Sequence, residues 1–182
     1  FCLDRAGITG DDGPSHHGVY DMALLSKVPG MRVLAPSCLE ELQQMLHDAM
    51  TLSSSGPVVI RYPKGTARSV GNAAIGSGTT SHTLATGDGR IAILAIGKMV
   101  AAAEKALESL TAAGINATLI DVRCCAPLDP AMISLAASHT TVLTAEDGIL
   151  DGGIGASFAT AIHALNPATR VESLGVPTQF IP

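Results

Sequence analysis

An arginine, three aspartates and two histidines fall within residues 4–18, which read Asp4-Arg5-Ala6-Gly7-Ile8-Thr9-Gly10-Asp11-Asp12-Gly13-Pro14-Ser15-His16-His17-Gly18. Glycine and proline punctuate the stretch, so it reads as a loop and not as a buried strand or a helix. A guanidinium can grip a phosphate or carboxylate through two parallel hydrogen bonds. An imidazole can carry a proton near neutral pH. Arg5 follows Phe1-Cys2-Leu3, read as the end of a strand, which is the edge where open α/β sheets bind ligands. Arg61 ends a second apolar run, Pro57-Val58-Val59-Ile60-Arg61-Tyr62-Pro63. Such a position is poorly explained as a solvated face. Arg5 and Arg61 are therefore expected to converge on one anion; the plainer alternative is two surface arginines.

His16 is expected at the start of a helix, where free N–H groups and the positive dipole end favour a neutral ring. There it would shuttle a proton or bond a substrate oxygen; the alternative is a capping role. His17 must point elsewhere. Asp12 would hold His16 in one tautomer, bind a substrate hydroxyl, or serve the Asp12-Gly13 turn. No metal site is expected, because the spacing of acids and histidines is not that of a ligand set. Gly148-Ile149-Leu150-Asp151-Gly152-Gly153-Ile154-Gly155 precedes a helix, where a glycine-rich loop can cradle phosphate. It departs from the dinucleotide pattern, so close backbone packing is the expectation. Glu146 and Asp147 before it would bind across an interface or solvate an edge.

The elements that must position these residues alternate strand and helix. Met31–Pro36 reads as a strand. Ser37, with Glu40 three residues on, forms a capping-box pattern. Leu39, Leu42, Met45, Leu46 and Met50 then recur at helical spacing, giving a helix over 38–53. Val19–Val28 reads as a short helix and Pro57–Pro63 as a strand. From Lys64 to about Arg90 the chain is rich in Gly, Ser, Thr and Ala, a linker with a short hairpin at its end. Strands at 91–96, 117–122, 141–144 and 170–174 alternate with helices at 98–113, 130–137 and 155–165. Continuous apolar strands alternating with helices predict an α/β fold of two parallel-sheet, three-layer α/β/α units. The division expected is 1–66, a linker at 67–88, and 89–182.

Composition excludes several classes. Of 182 residues 47% are apolar and 15% charged, and the net charge is -5. A sizeable core is possible, while non-specific nucleic-acid binding, which needs clustered Lys and Arg, is not expected. No apolar run reaches the ~20 residues of a membrane span, and no signal-peptide pattern is present. Cys2, Cys38, Cys124 and Cys125 form no CxxC pair and are expected as free thiols in a reducing cytosol. A start at Phe and not Met suggests a fragment.

The motifs DRAGITGDDGPSHHG at 4–18, VPGMRVLAPS at 28–37, VVIRYPKG at 58–65, LIDVRCCAPLD at 119–129, TAEDGILDGGIGAS at 144–157 and LGVPTQFIP at 174–182 resemble the 1-deoxy-D-xylulose-5-phosphate synthases. These are thiamine-diphosphate enzymes of the transketolase superfamily. The resemblance covers nearly the whole chain outside the linker. It implies the later half of a pyrimidine-binding domain followed by a transketolase C-terminal domain. It further implies a cytoplasmic homodimer that condenses pyruvate with glyceraldehyde 3-phosphate, releasing carbon dioxide, on the path to isoprenoids, thiamine and pyridoxal. Carried over by motif, Arg5 and Arg61 bind the sugar phosphate, His16 assists proton transfer, and Asp12 holds a substrate hydroxyl or His16. Thiamine diphosphate and Mg2+ would be held mainly by parts outside this chain, so the chain alone would be inactive. Ser15, Lys64 and Cys38 depart from the usual threonine, arginine and acid. A 2-oxoacid dehydrogenase beta subunit, a transketolase and a non-catalytic dimerisation module are the competing readings.

Overall fold

The computed structural model describes residues 1–72 and 75–181. Its strands form two sheets. In the first, β1 (Cys2–Leu3) and β2 (Arg32–Leu34) flank β3 (Val58–Arg61), all parallel. Helix α1 (Asp21–Leu25) is shorter than the 19–28 expected, and α2 (Leu39–Leu52) matches its periodicity. Met45, with Leu42, Ala49 and Leu52, packs on Leu34, Val58 and Ile60, the one-sided apolar stripe that holds a helix to a sheet.

In the second sheet β4 (His82–Ala85), β5 (Ile91–Ala95), β6 (Thr118–Asp121), β8 (Thr141–Ile149) and β9 (Arg170–Val176) take the order β4-β6-β5-β8-β9. Helices α3 (Met99–Ala112), α4 (Pro130–Ala137) and α5 (Ile154–Leu165) connect them. Val100 and Ala103 of α3 bury against Ile93, Ala95 and Leu119. Ile154, Phe158 and Ile162, spaced by four, bury one face of α5.

Three local expectations are corrected. The capping box does not close on Ser37 and Glu40: Cys38 is the N-cap residue, and the Ser37 amide and hydroxyl both donate to Glu41 Oε2, at 2.9 and 3.0 Å. Glu40 instead accepts from Ser69 Oγ and from the amides of Val70 and Gly71, which fastens the linker to α2. The linker ends in no hairpin, because β4 pairs antiparallel with the distant β6. The largest departure is β7 (Cys124–Ala126), which leaves the second half to pair antiparallel with β2 of the first sheet. The core follows it: Met22, Val33 and Ala35 share one apolar cluster with Leu94, Ile96, Ile154 and Phe158. Among the described residues no helix is long and apolar enough to cross a membrane.

Candidate functional site

The C-terminal edges of the two sheets carry the charges. Arg5 follows β1, Arg61 ends β3, Lys98 follows β5, and Asp147 lies near the end of β8. Arg5 has a left-handed backbone, φ 58°, a conformation that costs a non-glycine residue about 1–3 kcal/mol and so must be held by its surroundings. The Gly18 amide holds it by donating to the Arg5 carbonyl at 3.0 Å, and the Ala6 amide by donating to the Tyr62 carbonyl at 3.0 Å. Gly18 is required for this closure, because a Cβ there would lie 2.4 Å from the Arg5 carbonyl oxygen.

The Arg5 guanidinium, 40% exposed, donates to Asp12 at 3.0 Å and to Asp4 at 2.5 Å. Lys64 also binds Asp12. The Lys64 ammonium first, and Arg5 second, hold the Asp12 carboxyl below its ordinary value. Asp4, Arg5 and Lys64 rim an open groove of about 580 Å³, lined also by Ser37, Tyr62, Arg68 and Lys98. A rim of cations whose carboxylate partners face solvent can exchange one of those partners for an incoming anion.

Arg61 does not share that opening. It is 2% exposed, with Nε donating to Asp21 at 2.7 Å and Nη1 to Asp147 at 2.6 Å. Burial opposes its charge, but Asp147 and Asp21 outweigh this and raise its pKa above the ordinary arginine value. The expected convergence of two open guanidiniums is thus corrected: a cation this deep in a sheet edge had to bring its own counter-ions. Asp147 and Glu146 are likewise buried and neither solvates an edge.

His16 is also placed differently. It ends a short 3₁₀ turn, Pro14–His16, five residues ahead of α1, so no helix dipole acts on it. Its ring is exposed, with Nδ1 3.2 Å from Ser15 Oγ. Asp12 does not orient it, being committed to Arg5 and Lys64. His17 is the anchored histidine. Its Nδ1 accepts from the Thr9 amide at 3.1 Å, which leaves the proton on Nε2 to donate to the Ile181 carbonyl at 3.1 Å.

The glycine loop before α5 is filled by the chain itself. Glu146 accepts from the amides of Ile154 and Gly155 at 3.2 and 2.8 Å, taking the place an external anion would have at that helix start. Burial nonetheless raises the Glu146 pKa. Gly148, Gly153 and Gly155 leave no room for a Cβ beside Glu146, Met22, Thr144 and Ser173. Among the described residues no group of three His, Cys, Asp or Glu side chains is placed to hold a metal ion. The described residues therefore supply no ligand set for the magnesium that the resemblance implies.

One charged cluster escaped the sequence reading. Arg123 is fully buried with φ 59°. It donates to Glu41 at 2.6 Å and to the carbonyls of Ser77, Gly78 and Thr80. It thereby ties α2 and the linker to the segment between β6 and β7. Its signal was present: a lone arginine in the apolar run 117–126, the same oddity that marked Arg61.

Known proteins resemble the chain along its length. The transketolase pyrimidine binding domain matches residues 1–70 and the transketolase C-terminal domain residues 83–182. The 1-deoxy-D-xylulose-5-phosphate synthase of Chlorobium luteolum is 40% identical over the whole chain, which covers 29% of that relative. The synthase of Leifsonia xyli subsp. xyli is 37% identical, again over the whole chain and 28% of the relative. The chain thus spans under a third of the length of these curated relatives. A split-gene transketolase, solved as an inactive beta4 tetramer, superposes with a TM-score of 0.85 at 26% identity, covering 100% of this chain and 57% of that one. A transketolase of Pichia stipitis shares the fold, with a TM-score of 0.76 at 19% identity over 97% of this chain and 25% of that one. With the C-terminal domain matched across more than half of its residues, the chain belongs to the transketolase family.

Proposed function

We propose that the chain is the carboxyl-terminal portion of a thiamine-diphosphate synthase that joins pyruvate to glyceraldehyde 3-phosphate with loss of carbon dioxide. Its loop 4–18 receives the phosphate of the acceptor aldehyde. The observation that carries this reading is Arg5, held in a strained backbone on the rim of an open groove with Lys64 beside it. Strain at an exposed arginine is retained where a ligand needs the guanidinium aimed one way. The identity with named synthases supports the reaction.

In this reading Arg5 makes the first phosphate contact, and Lys64 follows when Asp12 turns to a substrate hydroxyl. Arg61, matched to Asp21 and Asp147, supports the phosphate site from beneath by keeping the sheet edge in place. His16, its ring exposed and bonded only to Ser15 among the described residues, serves the reacting end. Thiamine diphosphate and Mg2+ are held mainly by the rest of the enzyme, which works as a cytoplasmic homodimer. The domains divide at 1–66 and 89–182, with 67–88 between them.

Two measurements test this. The 182-residue chain, given both substrates, thiamine diphosphate and magnesium, forms no product; turnover above background overturns the assignment of the cofactor site to other parts. In the complete synthase, Arg5→Ala removes a charge-assisted contact of about 1.5–3 kcal/mol, so the KM for glyceraldehyde 3-phosphate rises roughly tenfold to a hundredfold. Equal rises for pyruvate and the phosphosugar overturn the phosphate role.

A further inference from the structure

Lys98 stands at the start of α3, just past the C-terminal end of β5. Strand β5 is flanked by β6 on one side and β8 on the other. The chain therefore leaves this edge in opposite directions, and such switch points are where open sheets build ligand sites. The Lys98 ammonium donates to the carbonyl of Ile8 at 3.2 Å and to that of Ala6 at 3.4 Å. It lies 3.6 Å from Asp147 Oδ2, an oxygen with no hydrogen bond among the described residues. Gly7, between the two carbonyls, has φ 73°, and a Cβ there would lie 2.5 Å from Asp147 Oδ2 and 2.6 Å from Lys98 Nζ. The loop is seated directly on the Lys98–Asp147 pair, one residue away from the strained Arg5.

We propose that Lys98 is a positioning residue that acts through Arg5: by holding the carbonyls of Ala6 and Ile8 it keeps the Arg5 backbone left-handed and its guanidinium on the groove. The inference rests on the phosphate role given to Arg5. It adds a contribution from the second half of the chain to a site otherwise built from the first. Without the ammonium, two carbonyls lose their donor and Asp147 loses the cation beside its free oxygen. Residues 5–8 then relax, and Arg5 spends less of its time aimed at the groove.

Kinetics of the complete synthase with Lys98→Met, Lys98→Arg, Arg5→Ala and the double variant Lys98→Met/Arg5→Ala test the idea. Lys98→Met raises the KM for glyceraldehyde 3-phosphate about tenfold, moves that for pyruvate less than about twofold, and is largely rescued by Lys98→Arg, which keeps the cation. The double variant is no worse than Arg5→Ala alone, since a residue acting through another adds nothing once that other is gone. Multiplying losses in the double variant, or an unchanged KM in Lys98→Met, overturn the inference while leaving Arg5 in place. An unchanged KM in Arg5→Ala overturns the phosphate reading and this inference with it. Should Lys98→Met not fold, hydrogen exchange in the 182-residue chain carrying Lys98→Gln decides. Faster exchange at the Gly7 and Gly18 amides, which close the loop, supports the proposal, and unchanged protection overturns it.

Discussion

Arg5 and Arg61 are each matched to two aspartates: Arg5 to Asp4 and Asp12, Arg61 to Asp21 and Asp147. Their surroundings separate them. Arg5 is 40% exposed, so water competes for every partner and each ion pair is worth little. Arg61 is 2% exposed, so its partners are irreplaceable by water. Identical ingredients therefore make a surface that can trade ligands in one place and a structural joint in the other. Burial, and not residue type, decides which.

The strongest way to break this contrast is Arg61→Ala. Removing one member of a buried ion cluster strands the other charges, here Asp147 above all, and costs about 3–5 kcal/mol of stability. An unfolding free energy from urea titration lowered by less than about 1 kcal/mol would show that the joint is not structural. Arg5→Gly should act in the opposite direction. Glycine takes φ 58° without strain, so the chain is unchanged or gains up to about 1 kcal/mol, while inorganic phosphate no longer raises its melting temperature. A loss of stability would mean that Arg5 is a joint too. The smallest effect is expected at Asp12. Its folded pKa is depressed, so its contribution is present above the ordinary value of 3.8 and is lost as the pH falls below it. Carbon NMR of the Asp12 carboxyl should place its titration below that value; titration above it would place Lys64 and Arg5 elsewhere in solution.

Much of this frame was legible in the residues. Apolar strands stopped by Pro36 and Pro63, and helices with apolar residues three and four apart, gave the α/β alternation because burial on two faces writes itself into sequence. Strand β7 was not legible. Three residues, Cys124–Ala126, show no period, and their partner β2 lies some 90 positions earlier, so only the folded chain brings them together. At the site, Asp12 pairs with Arg5 and Lys64, where the sequence reading had given it to His16 or a substrate hydroxyl. The partners of Arg61 were not legible for a single reason: an arginine in an apolar strand signals a matched charge, but the sequence does not say whether its match is a ligand or Asp21 and Asp147. His16 was misplaced for a related reason, since a proline at the second position of a short turn looks the same as one at the head of a helix.

Strand β7 also makes the connection between the halves topologically dispensable. Hydrogen bonds from β2 to β7, and a shared apolar core, join the halves independently of the peptide link between Arg61 and His82. A protease cut in that stretch would leave two pieces that co-purify under native conditions. The same two pieces, made as separate polypeptides, would reassemble by complementation, with β7 as the recognition strand that one offers to the open sheet of the other.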